Sequence, residues 1–131
     1  MKIIIVNSFY YPNMVGGTEH SVKLLAEGLI NNGDTVSVFT VDNFEKNGIK
    51  KDIVNGISIY RCHGGMFDVK VRLNKKKNML KKILNKFIEL KNNYVCKQFD
   101  NFIKEYKPDI IHVNNIYGIS PVILKIAKKT M

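Results

Sequence analysis

Two loops of this chain combine residues that suit ligand binding. The first, Ser8–Gly17, follows the apolar run Ile3–Val6 and ends in Gly16-Gly17, directly before an amphipathic stretch. The second, Asn114–Gly118, follows another apolar run. In open α/β sheets, ligands bind beyond the carboxyl ends of the strands, at the point where the strand order reverses. We therefore predict that the two loops meet and form one site.

Gly16 and Gly17 are candidates for binding a phosphate or a carboxylate. Two glycines allow positive φ and let the backbone approach a ligand closely. The N-terminus of the following helix presents N–H groups to an anion, which its dipole stabilises by about 0.3–1 kcal/mol. The same residues also suit a flexible turn with ordinary helix capping.

The second loop supplies polar side chains. Asn114, Asn115 and Tyr117 follow the strand end, where they are placed to contact a polar ligand, although asparagine is also a common turn residue. His112 stands inside the apolar strand, and we expect it to be a core residue whose nitrogens are satisfied by neighbours.

Several other kinds of site are not supported. A dinucleotide fingerprint would use Asp42 as the ribose-binding acid, but eight residues separate Asn7 from Gly16 and no G-x-G-x-x-G occurs. A P-loop is excluded because neither G-K-S nor G-K-T appears. The histidines and cysteines lack the spacing of metal ligands or of a catalytic nucleophile with its base. No catalytic residue is assigned.

Composition indicates one globular domain. The chain has 131 residues, of which 45% are hydrophobic and 24% are charged. No stretch of about 20 apolar residues could cross a membrane. Cys62 and Cys96 are too few for a disulfide framework, and we interpret them as reduced thiols in a cytoplasmic protein.

Most of the positive charge lies in one segment. Residues 69–98 contain ten basic residues and one acid, Glu89, and therefore hold +9 of the total net charge of +10. This basic segment suits a solvated helix face or, because apolar residues are interspersed, a membrane surface. Nucleic-acid binding is disfavoured because no aromatic residue lies between Lys70 and Lys82. The candidates for facing a membrane are Lys75, Lys76, Lys77, Lys81 and Lys82.

The pattern of elements predicts an α/β fold. Strands are expected at 2–7, 35–41, 56–62 and 109–114. One helix follows a Thr18 N-cap and stops near Gly33, one long or two short helices span 77–106, and a last helix follows Ser120-Pro121. The stretch from Asp42 to Asn55 is interpreted as a connection. This order is typical of an open, mostly parallel, Rossmann-like sheet with helices on both faces.

Two longer segments resemble a known family. The segments are FYYPNMVGGTEHSVKLLAEGLINNGDTVSVFT and KPDIIHVNNIYGISPVILKIAKK, around 55 residues in total. The first resembles the aromatic-x-Pro loop, Gly-Gly-x-Glu motif and helix that open family-4 retaining glycosyltransferases of the GT-B fold. The second resembles their Pro-Asp-hydrophobic-hydrophobic-His strand and the helix after it. The resemblance implies that residues 1–131 form an incomplete, N-terminal, acceptor-side domain of such an enzyme.

The family's reaction transfers a sugar from a nucleotide-sugar to an acceptor hydroxyl with retention, without a metal or other cofactor. The resemblance assigns Gly16 and Gly17 to the donor and places His112, Asn114, Asn115 and Tyr117 on the acceptor side. Where many members have His-x-His, this chain has His112 and Asn114, and an amide cannot act as acid or base. A C-terminal domain would have to complete the enzyme, so we expect no turnover from these residues alone.

Many members of the family act on lipid-linked or cell-envelope acceptors at the cytoplasmic face of a membrane, which agrees with the basic segment. The alternative from a different class is a non-catalytic, Rossmann-like module that binds a nucleotide or another anion.

Overall fold

A computed structural model describes residues 1–13, 16–44, 46–65 and 79–130. The strands are β1 (Lys2–Val6), β2 (Thr35–Asp42), β3 (Ile49–Val54), β4 (Ile57–His63) and β5 (Ile110–Val113). The helices are α1 (Gly17–Asn31), α2 (Met79–Leu90), α3 (Asn93–Tyr106) and α4 (Val122–Thr130).

The five strands form one sheet in the order β3-β4-β2-β1-β5. β1 is parallel to β2 on one side and to β5 on the other, β2 is parallel to β4, and only β3 runs antiparallel. The chain moves from β1 to β2 and β4 in one direction and returns to the opposite side of β1 for β5. The strand order therefore reverses between β1 and β5.

Helices cover both faces of the sheet, as predicted. Ile3 and Ile5 of β1 pack on the face of α1, against Val22 and Ala26. Ile4 and Val6 point to the other face. There the core also contains Phe39 of β2, Phe99 and Ile103 of α3, and Ile123 of α4. A strand that is covered twice has no polar side, which explains the continuous apolar run of β1.

The sequence had indicated that the segment between β2 and β4 is a connection, but it also contains a strand. Ile49–Val54 forms the antiparallel edge strand β3, and a two-residue turn joins it to β4. Asn55 and Gly56 both have positive φ, 51° and 78°, as a type I′ hairpin turn requires. An Asn-Gly pair is a strong hairpin signal, and it could have revealed β3.

The helix ends differ in detail from the prediction. α1 begins at Gly17, one residue before the expected Thr18 N-cap, and stops as expected, with Gly33 at a φ of 91°. Where the structure describes the stretch predicted as one long or two short helices, from residue 79 to 106, it forms two, α2 and α3. Ser120 caps α4 through a 3.3 Å hydrogen bond from the Val122 amide to the serine Oγ. Val122 itself is exposed, whereas the next residue, Ile123, is buried in the core.

Asn92, between α2 and α3, connects three parts of the fold. Its buried amide nitrogen donates to the carbonyl oxygens of Gly64, at 3.0 Å, and of Gly118, at 2.9 Å. Its Oδ1 accepts from the Val95 amide at 3.3 Å and so caps α3. One side chain thus joins the end of β4, the start of α3 and the loop after β5.

We expect Asn92→Ala to lower the free energy of unfolding by about 2–4 kcal/mol, because it removes a helix cap and leaves buried carbonyl groups without this donor. Urea unfolding measures the difference. The control is Asn93→Ala at the neighbouring exposed position, which should change stability by less than about 0.5 kcal/mol. Equal effects of the two substitutions would contradict the role of Asn92.

Candidate functional site

The two predicted loops meet at the carboxyl edge of the sheet. Asn114 Nδ2 donates to Asn7 Oδ1 at 3.1 Å, and the Asn114 amide donates to the Val6 carbonyl oxygen at 3.0 Å. Asn7 is fully buried, and its own Nδ2 donates to the Phe9 carbonyl oxygen at 2.7 Å. This contact lies between β1 and β5, where the strand order reverses and where ligands bind in folds of this type.

The acceptor-side candidates occupy different environments. Asn114 is exposed, whereas Asn115 and Tyr117 are half-buried. Asn115 Oδ1 accepts from the Tyr117 amide at 3.1 Å, so this asparagine serves the turn. The Tyr117 ring lies 6.2 Å from that of Phe9, measured between centroids, and packs the second loop against the first. Of the two asparagines, Asn114 is therefore better placed for a ligand.

His112 is not a core residue, which corrects the prediction. It pairs in register with Ile5, on the face of the sheet that carries α1, yet its side chain is exposed. In the described part of the chain β5 pairs with β1 alone, so the strand's outer side lacks the cover that its apolar sequence had indicated. The imidazole is accessible close to the strand end.

Gly16 and Gly17 are exposed, and neither adopts the positive φ that had been considered for them. Gly16 has a φ of −167°, which is extended backbone open to any residue, and Gly17 is the first residue of α1. Apart from the adjacent backbone, a Cβ built on either glycine would have no heavy atom of the described residues within 4 Å. The described fold therefore has no steric need for glycine here, and the space above the backbone is open.

Glu19 holds the diglycine turn from within. Its buried carboxylate accepts a 2.8 Å hydrogen bond from the Gly16 amide, so one amide at the start of α1 is already engaged. The negative charge also lies where the helix dipole favours it. This contact is the acidic half of a capping box, since glycine has no side chain to form the other half, and the Gly-x-x-Glu spacing could have predicted the role.

Arg61 anchors the first loop from β4, and no sequence pattern predicted this contact. Its Nη2 donates to the Tyr11 carbonyl oxygen, and its Nε donates to Asp52 Oδ2 at 2.6 Å. The guanidinium is buried, so it needs such partners. The hydrogen bond from Arg61, with a smaller contribution from Lys50, lowers the pKa of Asp52 below its usual value.

Asp42 belongs to the same framework. Its Oδ2 accepts a 2.9 Å hydrogen bond from Asn13 Nδ2, which ties the first loop to the end of β2. The carboxylate considered for a ribose therefore serves a structural contact.

The cysteines are not nucleophiles in this fold. Both are buried and unpaired, and burial raises the pKa of Cys62 to about 12 and raises that of Cys96. At neutral pH these thiols stay protonated. Among the described residues, no cluster of three or more His, Cys, Asp or Glu side chains could hold a metal ion.

The lysine candidates are only partly described. Lys81 and Lys82 are exposed on α2, whereas Lys75, Lys76 and Lys77 lie outside the described residues. No helix in the described ranges is both long and apolar enough to cross a membrane.

A cavity of about 510 Å³ lies away from the two loops. Its lining includes Lys2, at the amino end of β1, and Tyr106. The Lys2 ammonium lies 3.9 Å from the centre of the Tyr106 ring. This hollow is therefore at the opposite edge of the sheet from Asn7 and Asn114.

Two relatives are similar in sequence, and no family model matches the chain. An uncharacterised 42.6 kDa protein in the cps region of Klebsiella pneumoniae is 42% identical over 129 residues, which cover 98% of this chain and 34% of that protein. An uncharacterised glycosyltransferase of Methanocaldococcus jannaschii is 41% identical over 65 residues, 47% of this chain and 15% of that protein. The chain therefore spans about a third or less of the length of these relatives.

Among solved structures, sucrose-phosphate synthase from Thermosynechococcus elongatus matches 86% of this chain and 26% of its own, with a TM-score of 0.55. The sequences are 16% identical, so this similarity concerns the fold alone. It confirms the predicted α/β architecture. With the Methanocaldococcus relative, it supports a glycosyltransferase fold.

The ion pair of Asp52 and Arg61 makes stability depend on pH. The pKa of Asp52 is lowered by folding, so the pair contributes stability above the ordinary carboxyl pKa of about 3.9, and this is lost as pH falls through the lowered value. We expect Asp52→Asn to be less stable than the unmodified protein at pH 7 and to lose less stability on acidification below about pH 4.

Urea unfolding at a series of pH values measures this difference. The control is Asp100→Asn, since the pair of Asp100 with Lys104 is largely exposed and should contribute about 1 kcal/mol or less. Parallel pH profiles for Asp52→Asn and the unmodified protein would contradict the assignment.

Proposed function

We propose that this chain is the acceptor-side domain of a retaining glycosyltransferase of the GT-B type. In this proposal the complete protein transfers a sugar from a nucleotide-sugar to an acceptor hydroxyl in the cytoplasm, without a metal, in the synthesis of a cell-envelope glycan. The hydrogen bond between Asn7 and Asn114 carries the proposal, because it joins the loop that leads to Gly16-Gly17 with the loop of the acceptor-side candidates.

The comparisons support the class of enzyme. One relative is named a glycosyltransferase, and the relative that matches nearly the whole chain is encoded in a cps region. A structural match to sucrose-phosphate synthase, under 25% identical, adds the fold. Retention, the donor and the envelope role go beyond these similarities and belong to the proposal.

Gly16 and Gly17 are proposed to contact the donor by close approach. Among the described residues, no heavy atom outside the neighbouring backbone lies within 4 Å of the positions that a Cβ would take, so a phosphate or sugar can reach the main chain there. Since the Glu19 carboxylate already neutralises part of the positive helix end, the geometry favours approach to the backbone over simple charge attraction.

His112 and Asn114 are proposed to contact the acceptor, with Asn115 and Tyr117 holding their loop. Both contact residues are exposed near the end of β5. An asparagine amide can donate and accept hydrogen bonds but cannot transfer a proton, so Asn114 would orient a hydroxyl group.

The proposal is tested by assaying the full-length protein with a panel of nucleotide-sugars. We expect transfer from at least one donor, without added metal, to give a product whose anomeric configuration matches that of the donor, as NMR of the product reports. A product with the inverted anomeric configuration would contradict the retaining mechanism. If no donor gives transfer or is hydrolysed, the proposal that the protein is an enzyme is contradicted.

Gly16→Ala separates ligand contact from folding. The described structure leaves room for the methyl group, but Gly16 is the N-cap of α1, where alanine is less favourable than glycine, so we expect the free energy of unfolding to fall by about 1 kcal/mol or less. Transfer should fall at least about tenfold, since small displacements at a reacting centre have large kinetic effects.

The matched control is Gly28→Ala, at an exposed position of α1 that also has no neighbour within 4 Å. It should raise stability by about 0.5–1 kcal/mol, because alanine favours helix, and should leave transfer unchanged. Full activity of Gly16→Ala would argue against donor contact at the diglycine.

A non-catalytic nucleotide- or anion-binding module is the second candidate. The exposed start of α1 favours it, together with an amide at Asn114 where an acid or base would have stood. Calorimetry with a nucleoside diphosphate tests this candidate. Binding that is weakened by Gly16→Ala, with no transfer from any donor, would support this module instead.

A further inference from the structure

The outer face of α2 carries a large apolar stripe. Six of its side chains are between 50% and 76% exposed: Met79, Leu80, Ile83, Leu84, Phe87 and Leu90. At about 100° per residue, they fall within an arc of about 140° on one side of the helix. Asn85 lies roughly opposite and is buried, so in the described part of the chain the stripe faces away from the domain.

An apolar surface of this kind needs a partner. Single exposed apolar residues are common on proteins, but a continuous row of six marks an interaction surface. The inward side of the helix is held to the domain by Ile88, which packs against the core, and by the buried Asn85. α2 is therefore attached along one side and open along the other.

The charges around the stripe indicate what covers it. Lys81, Lys82 and Lys86 lie on α2, and Lys91 follows its end. Glu89 is the only acid among residues 69–98, which carry a net charge of +9. Long lysine stems can extend along an apolar surface while their ammonium groups reach toward phosphate groups.

We propose that α2 lies in the surface of an anionic lipid bilayer, with its apolar stripe among the acyl chains and its lysines at the headgroups. A helix whose exposed apolar stripe is accompanied by exposed lysines has the character of an interfacial membrane helix. A second copy of the chain fits less well, because it would bring two +9 segments together. A nucleic acid would leave the six apolar side chains without a partner.

The position of α2 extends the proposed function. Ser120 Oγ donates to the Leu90 carbonyl oxygen at 3.2 Å, and Asn92 donates to the Gly118 carbonyl oxygen. The end of α2 is thus bonded to the loop that carries the acceptor-side candidates. If that function holds, a docked α2 brings the acceptor site to the membrane and selects acceptors that are linked to lipid.

Co-sedimentation of the purified full-length protein with vesicles tests the docking without any sugar substrate. The vesicles contain phosphatidylcholine alone or mixed with phosphatidylglycerol. We expect binding to the mixed vesicles that weakens with added salt, since salt screens exposed charges. Lys82→Gln with Lys86→Gln should weaken it at least about tenfold. Leu84→Gln with Phe87→Gln should do the same.

Matched controls lie elsewhere on the surface. Leu24→Gln removes an exposed apolar residue of α1, and Lys128→Gln with Lys129→Gln removes two charges from α4. We expect both to bind within about twofold of the unmodified protein.

Three outcomes would overturn the docking of α2. These are equal binding to neutral vesicles, binding that is indifferent to salt, and α2 variants that bind like the unmodified protein. A different result would assign the stripe to a second copy of the chain. In that case the unmodified protein would form a dimer and would not bind vesicles, and Leu84→Gln with Phe87→Gln would dissociate the dimer. Sugar transfer to a soluble acceptor without vesicle binding would overturn the docking alone, whereas vesicle binding without transfer would overturn the enzyme alone.

Discussion

The burial of β1 on both faces and both sides is the constraint on which the rest of the structure depends. Helices cover its two faces, and parallel strands bond to its two sides. When such a strand ends, its polar groups are still inside the protein and must find partners. Asn7 meets this need through the carbonyl oxygens of Phe9 and Phe39 and the amide of Asn114. The two loops are joined because the polar groups at the buried end of β1 need hydrogen-bond partners.

The fold was predictable where periodicity and burial act along the chain. The continuous apolar runs of β1 and β5 and the 3.6-residue pattern of α1 are local signals, and they were sufficient for the parallel sheet with two covered faces. β3 was missed because Lys50, Lys51 and Asp52 do not alternate with apolar residues. An edge strand does not need this alternation. His112 was misplaced because an apolar strand was assumed to be covered on all sides.

The candidate site was predictable in its location and less so in its support. Topology alone places the loops after β1 and β5 together. The groups that hold them are distant in sequence: Arg61 reaches Tyr11 from β4, and Asn92 reaches Gly64 and Gly118. No spacing rule predicts such contacts. Glu19 is the exception, because its partner Gly16 is only three residues away.

The two buried thiols provide the fold with an internal reporter of its own opening. Cys62 lies on β4 and Cys96 on α3, both within the core that binds this helix to the sheet. A maleimide reacts with an accessible thiolate, and here both access and deprotonation are suppressed by burial. The rate of alkylation under native conditions therefore reports the separation of α3 from the sheet, without any introduced residue.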